Sequence, residues 1–212
     1  MGCKVKLSKL VQLAKEDKYI ILVNKVSPEK GIVRQHIWID RGLYPLDGMP
    51  VIGKDELLKV LDIPEDKHCD WYVGEKELDE KLALMAADNP PGKIDSEATP
   101  CGLNLHMREH DVMAVYTPEG IRFIDKKCFD VIKDEKGVDW WWRKIGLAGV
   151  LVAKKGFKTI ATISCTKSWM DDDVLDDLWH IANAARTIYD QSKYKEQNTE
   201  QLSMESSDET AD

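Results

Sequence analysis

The chain has 212 residues, is 43% hydrophobic and 32% charged, and carries a formal net charge of -8. That is enough apolar material for a real core in one larger domain or two small ones, and an acidic total argues against bulk coating of nucleic acid, which needs a net basic footprint. No run approaches the roughly 18 apolar residues of a membrane helix, MGCKVKLSKL lacks a signal peptide's apolar core, and five scattered cysteines without a CxxC pair (Cys3, Cys69, Cys101, Cys128, Cys165) predict reduced thiols in a cytoplasmic protein.

Residues 7–17, LSKLVQLAKED, repeat apolar side chains at helical spacing. YIILVNKV (19–26) is dense in β-branched residues and reads as a buried strand. SPEKG is a turn, and IVRQHIWID (32–40) alternates as a second strand. RGLYPLDGMPVIG carries the Asp47-Gly48 signal of a short hairpin. KDELLKVLDI is a short helix stopped by Pro64. DWYVG is a strand, and EKELDEKLALMAAD (75–88) is an amphipathic helix. NPPGKIDSEATPCG (89–102) holds three prolines and two glycines and reads as a linker. Beyond it come the strands DVMAVYT and IRFI, a short helix DKKCFDVIKD, and VDWWWRK. GVLVAKKGFKTIATISC then supplies two strands around Lys155-Gly156, and a final helix runs through DDDVLDDLWHIANAARTIYDQ. The acidic stretch 191–212 has too little apolar surface to offset its ordering entropy, which predicts a disordered tail.

The fold class expected from this order is α+β: short helices packed on mainly antiparallel sheet, in two similar subdomains at 1–88 and 103–190. Two segments suggest an internal repeat: DGMPVIGKDELLKVLDIPEDKHCDWYV (47–73) and EGIRFIDKKCFDVIKDEKGVDWWW (119–142). Each runs from an acid-Gly turn through a short helix to an Asp-Trp strand. In a strand, neighbours face opposite ways. Trp140 and Trp142 are therefore expected on one, core-packed face, and Trp141 on the other, where it could serve as a stacking platform or partner contact.

The succession EGIRFIDKKCFDVIKD, VDWWWRK, GVLVAKKGFKTIATISC resembles, in strand order and hydrophobic pattern, a domain of the processivity (sliding) clamps, the ring proteins that encircle DNA. The resemblance covers about 140 residues and implies short helices lining a DNA hole, sheets on the outer rim and closure as a homo-oligomer. The final helix departs from that pattern, because Asp171, Asp172, Asp173, Asp176 and Asp177 make a face that DNA would repel.

Candidate binding residues are Trp140, Trp141 and Trp142 with Arg143, Lys144, Lys126, Lys127, Lys154 and Lys155, which would contact phosphates if gathered on one surface. LHMREHD matches H-x-x-E-H, where two histidines one helical turn apart share a metal. His106, Glu109 and His110, with Cys101 nearby, are thus the metal candidates. Against them, the segment runs straight into a strand and leaves little room for a helix. No Walker loop, GxSxG or GxGxxG occurs. The sequence thus points to a non-catalytic, non-membrane binding protein without cofactor, whose partner is DNA, in a clamp-like accessory role, or another protein. The protein-binding alternative is an inhibitor or adaptor using the tryptophan face and the acidic helix. A metal-dependent hydrolase at the histidine cluster is the third reading.

Overall fold

A computed structural model describes residues 7–90, 92, 94–107, 110–146, 148–166 and 171–187. The expected tail from 191, together with Cys3 and Glu109, lies outside the described residues. The chain packs as two units, Met1–Met170 and Asp171–Asp212.

The first unit is α+β and built on one large sheet. Its opening elements follow the sequence pattern closely. Helix α1 (Leu7–Asp17) buries Leu10, Leu13 and Ala14, and strands β1 (Tyr19–Ser27) and β2 (Gly31–Ile39) form an antiparallel hairpin. Strand β3 (Gly42–Pro45) follows, with no second strand after the Asp47-Gly48 turn, so the expected local hairpin does not close. Helix α2 (Lys54–Val60) ends short of Pro64, and a 3-10 turn (Glu65–Asp70) leads into β4 (Tyr72–Glu77).

The helix expected over 75–88 is shorter. Residues 75–77 pair with β1 as part of β4, and α3 occupies only Glu80–Ala86. The reason is local: the Asp79 carboxylate accepts a hydrogen bond from the Leu82 amide, and this N-cap fixes where the helix begins. The stretch expected as a linker also contributes strands, β5 (Asp95–Glu97) and the first residues of β6 (Thr99–Met107). The rest comprises β7 (His110–Thr117), β8 (Gly120–Asp125), α4 (Lys126–Asp130), β9 (Asp139–Ile145), β10 (Ala148–Lys155) and β11 (Lys158–Ser164).

The large sheet runs β4-β1-β2-β3-β11-β10-β9-β5, and β6-β7-β8 form a smaller one. Every pairing is antiparallel except β1 with β4. Strands from before and after residues 89–102 share the large sheet, joined where β3 pairs with β11. The two segments read as a repeat share a helix followed by an Asp-Trp entry to a strand. They differ in pairing: β4 lies parallel to β1 at one end of the sheet, and β9 antiparallel to β10 near the other.

Both faces of the sheet are covered. One carries α1, α2, α4 and the smaller sheet over Ile20, Leu22, Ile37, Leu151 and Ile163. The other carries α3, whose Leu82 and Met85 pack on Val23, Leu43, Val150 and Val152. Burying each such side chain contributes roughly 1.5–3 kcal/mol. Double coverage explains why β10 and β11 are buried along almost their whole length and not at alternate residues only. Two aromatic rings lie flat on glycines: Trp142 covers Gly149 and Tyr44 covers Gly42, where a β-carbon would come within 2.0 and 2.3 Å of ring-system atoms.

In the second unit, residues 172–187 form a helix, α5, that buries Val174, Leu178 and Ala182. No helix among the described residues is long and apolar enough to cross a membrane.

Candidate functional site

The tryptophan strand sorts by alternation. Trp142 is 2% exposed in the core beneath the smaller sheet, and Trp140 packs beside it with its ring 5.0 Å from Phe129. Trp141 is half-buried on the α3 face, with the Lys154 ammonium 5.5 Å from its ring. The strand is thus covered on both faces, and the partly open Trp141 already has a cation at its ring.

Arg143 follows Trp141 onto the α3 face and is fully buried. Its Nε and Nη2 donate to Asp95 at 2.6 and 2.9 Å, and its Nη1 donates to the carbonyls of Leu84, Met85 and Ala87 at the end of α3. The Lys154 ammonium donates to the same Asp95 at 2.6 Å. Burial alone would raise the Asp95 carboxyl, but the hydrogen bonds and charges of Arg143 and Lys154 outweigh it and hold it below the ordinary range. Thr162 and Thr159 donate their hydroxyls to the Met85 and Ala87 carbonyls. These donors satisfy orphan carbonyls of a helix C-terminus. Arg143 and Lys154 are therefore spent on docking α3.

The other candidate cations are also engaged. Lys126 pairs with Asp130, Lys127 with Glu16 at 2.9 Å, Lys144 with Glu119 at 3.1 Å and Lys155 with Glu135 at 3.7 Å. Each of them shares its surroundings with a carboxylate.

His106 and His110 lie on antiparallel strands, where Met107 pairs with His110 and His106 with Asp111. The helix that the metal motif requires is replaced by a hairpin. The His106 Nδ1 is 2.8 Å from the Asp111 carboxylate, and the Cys101 thiol donates to the Ala114 carbonyl at 3.1 Å.

One cluster went unread in the sequence. Asp40, in the turn between β2 and β3 with φ 48°, meets Asp125, the N-cap of α4, and the Cys128 thiol. These groups present ligand atoms within 4.8 Å of one another. The positive charge among them is Arg41, paired with Asp40 and 3.8 Å from Asp125. Burial raises the Asp40 carboxyl and pushes the Cys128 thiol and Tyr44 phenol well up. The Tyr44 hydroxyl donates to the Cys128 carbonyl at 2.9 Å. The cluster ties the β2–β3 turn to α4. No periodic pattern marks it, because Asp40 in the β2–β3 turn meets Asp125 and Cys128, at the start of α4, from far along the chain. For the Arg143 network there was a signal: an arginine inside the apolar run WWWRKI must find a buried anion.

In the second unit, the exposed side of α5 carries Asp172, Asp176 and Trp179, at positions one and two turns apart. Trp179 is 49% exposed, its ring edge-on to His180.

No protein-family model, curated protein or solved structure matches this chain.

Proposed function

We propose that this chain is a non-catalytic binding protein, an inhibitor or adaptor whose partner is a protein with a basic surface, and that α5 makes the contact. The observation that carries the reading is Trp179, half-exposed on a helix whose open side also bears Asp172 and Asp176. Tryptophan is the residue most often found at the energetic centre of interfaces. Carboxylates around it would steer a basic partner and set its register. Asp177 extends the same negative surface, and acidic residues in the first turns also suit the helix dipole.

A DNA partner has less on its side. The cations that would reach phosphates are paired with carboxylates or buried, and the acidic total of -8 opposes approach to a duplex.

The test is a pair of titrations on the full chain at several salt concentrations, one with a lysine- and arginine-rich helical peptide and one with duplex DNA. The expected result is salt-sensitive peptide binding, weakened at least tenfold by Trp179→Ala and by Asp172→Asn with Asp176→Asn, and no DNA complex. A salt-sensitive DNA complex, or peptide affinity indifferent to Trp179→Ala, overturns the proposal.

A further inference from the structure

The large sheet ends at β4, and no strand among the described residues pairs with the outer edge of β4. The amides of Tyr72 and Leu78 donate inward, to the carbonyls of Lys18 and Asn24. By the alternation of a strand, the amides and carbonyls of Val73, Glu75 and Glu77 point outward. Bare edges of this kind are templates for a further strand. Natural sheets blunt them with bulges, prolines, very short strands or charged side chains. Strand β4 has six residues, no proline and an unbroken register with β1, and of these devices carries only the charges of Glu75, Lys76 and Glu77, which select the partner by its charge.

The side chains along the edge define what would fit. On the face that carries α3, Tyr72 is 57% exposed, its ring 4.8 Å from Tyr19 in a parallel stack and lying over Gly74. The gap above Gly74 is thus filled by an aromatic plate. On the opposite face, the exposed Glu75 and Glu77 stand two residues apart, and Val73 packs inward beside them. Their carboxylates repel an acidic strand and attract a basic one, since opposite charges directly across adjoining strands are favourable and like charges unfavourable.

We infer that β4 accepts an added strand from a partner: an extended segment with a basic residue at every second position, facing Glu75 and Glu77, and aliphatic or aromatic residues between them, resting against Tyr72. This surface is built from residues of the first unit and shares no residue with α5, so it is tested independently of the reading above. Main-chain hydrogen bonds would supply affinity and the alternating side chains specificity.

The probe is a fluorescent nine-residue peptide alternating lysine and valine, titrated into the full chain. A second peptide of the same sequence is N-methylated at alternate residues, which removes the strand donors and keeps the charge. Binding is expected, with protection of the Val73, Glu75 and Glu77 amides from hydrogen exchange. The N-methylated peptide, and Glu75→Gln with Glu77→Gln in the protein, are each expected to bind at least tenfold more weakly, while Asp172→Asn with Asp176→Asn has no effect. Glu75→Pro removes an outward donor and is expected to abolish protection without lowering the melting temperature by more than a few degrees. If that variant unfolds, the N-methylated peptide still decides. Equal affinity for the two peptides would mean charge attraction alone and overturns the inference, as do absent binding, absent protection, or pairing of β4 with a second copy of this chain.

Discussion

Arg143 and Asp95 are held together by two hydrogen bonds of 2.6 and 2.9 Å across adjoining strands, and the same guanidinium closes the end of α3. Removing Arg143 leaves Asp95 with Lys154 alone and strips the buried Leu84, Met85 and Ala87 carbonyls of their shared donor. Arg143→Met is expected to cost about 3–5 kcal/mol of folding stability, read as a lower denaturant midpoint. A loss of under about 1 kcal/mol would mean that water replaces the guanidinium.

Asp95 gives that network a pH signature. Its folded carboxyl sits below the ordinary range, so its contribution is fully present above the unfolded value and fades as pH falls through the folded one. Asp95→Asn is expected to remove that part of the acid-side slope in a denaturation series. An unchanged slope would show that Asp95 is not the group titrating.

His36 acts in a higher pH window. It is 2% exposed, and its Nδ1 has no hydrogen-bond partner among the described residues. Burial, reinforced by the Arg34 charge, lowers it from 6.5 to about 4. The folded state thus binds fewer protons than the unfolded one between those values. The cost is absent above pH 6.5 and grows as pH falls to 4, reaching roughly 3 kcal/mol. His36→Gln is expected to flatten stability across that window. A variant as pH-sensitive as the parent would sink the assignment.

The glycines beneath the two aromatic rings make a further test. Gly149→Ala forces a methyl into the Trp142 ring, and Gly42→Ala into Tyr44. Each is expected to cost about 1–3 kcal/mol by overpacking. In a Trp142→Leu background the Gly149→Ala cost should fall, because the ring it strikes is gone. Additive costs would mean that the clash lies elsewhere.

The tryptophans themselves should separate by burial. Trp142→Ala is expected to cost about 3–5 kcal/mol, and Trp140→Ala and Trp141→Ala less, since both are half-buried. Equal losses at all three positions would contradict the burial order.

That odd-even division was legible in the sequence, as were α1 and β2 from their periodicity, and β1 and the β10–β11 hairpin from apolar and β-branched runs bounded by turn residues. What periodicity does not encode is which strand lies beside which. EKELDEK reads as helix by composition, yet 75–77 join β4 because β1 offers them an edge. Asp95-Ser96-Glu97 has no strand character of its own and becomes β5 because it pairs with β9, where Arg143 anchors Asp95. The cluster of Asp40, Asp125 and Cys128 depends on the β2–β3 turn meeting the start of α4, a fact of tertiary structure. The α5 stripe of Asp172, Asp176 and Trp179 was half visible: the acidic run stood out, while the exposure of Trp179 did not.

The pairing of β3 with β11 has a consequence for the protein during its own synthesis. Leu43 must wait for Thr162, made roughly a hundred residues later. At about 5–20 residues per second the delay is on the order of ten seconds. Throughout it, β3 is the unpaired rim of a half-built sheet, with Leu43 and Tyr44 still uncovered by the strand that completes it. Ribosome-bound chains halted before residue 158 are expected to be cut by protease within β3, and chains halted well past 166 to resist. The last strand of the sheet thus acts as a timing device, and the nascent chain depends on its arrival or on a chaperone to shield the rim.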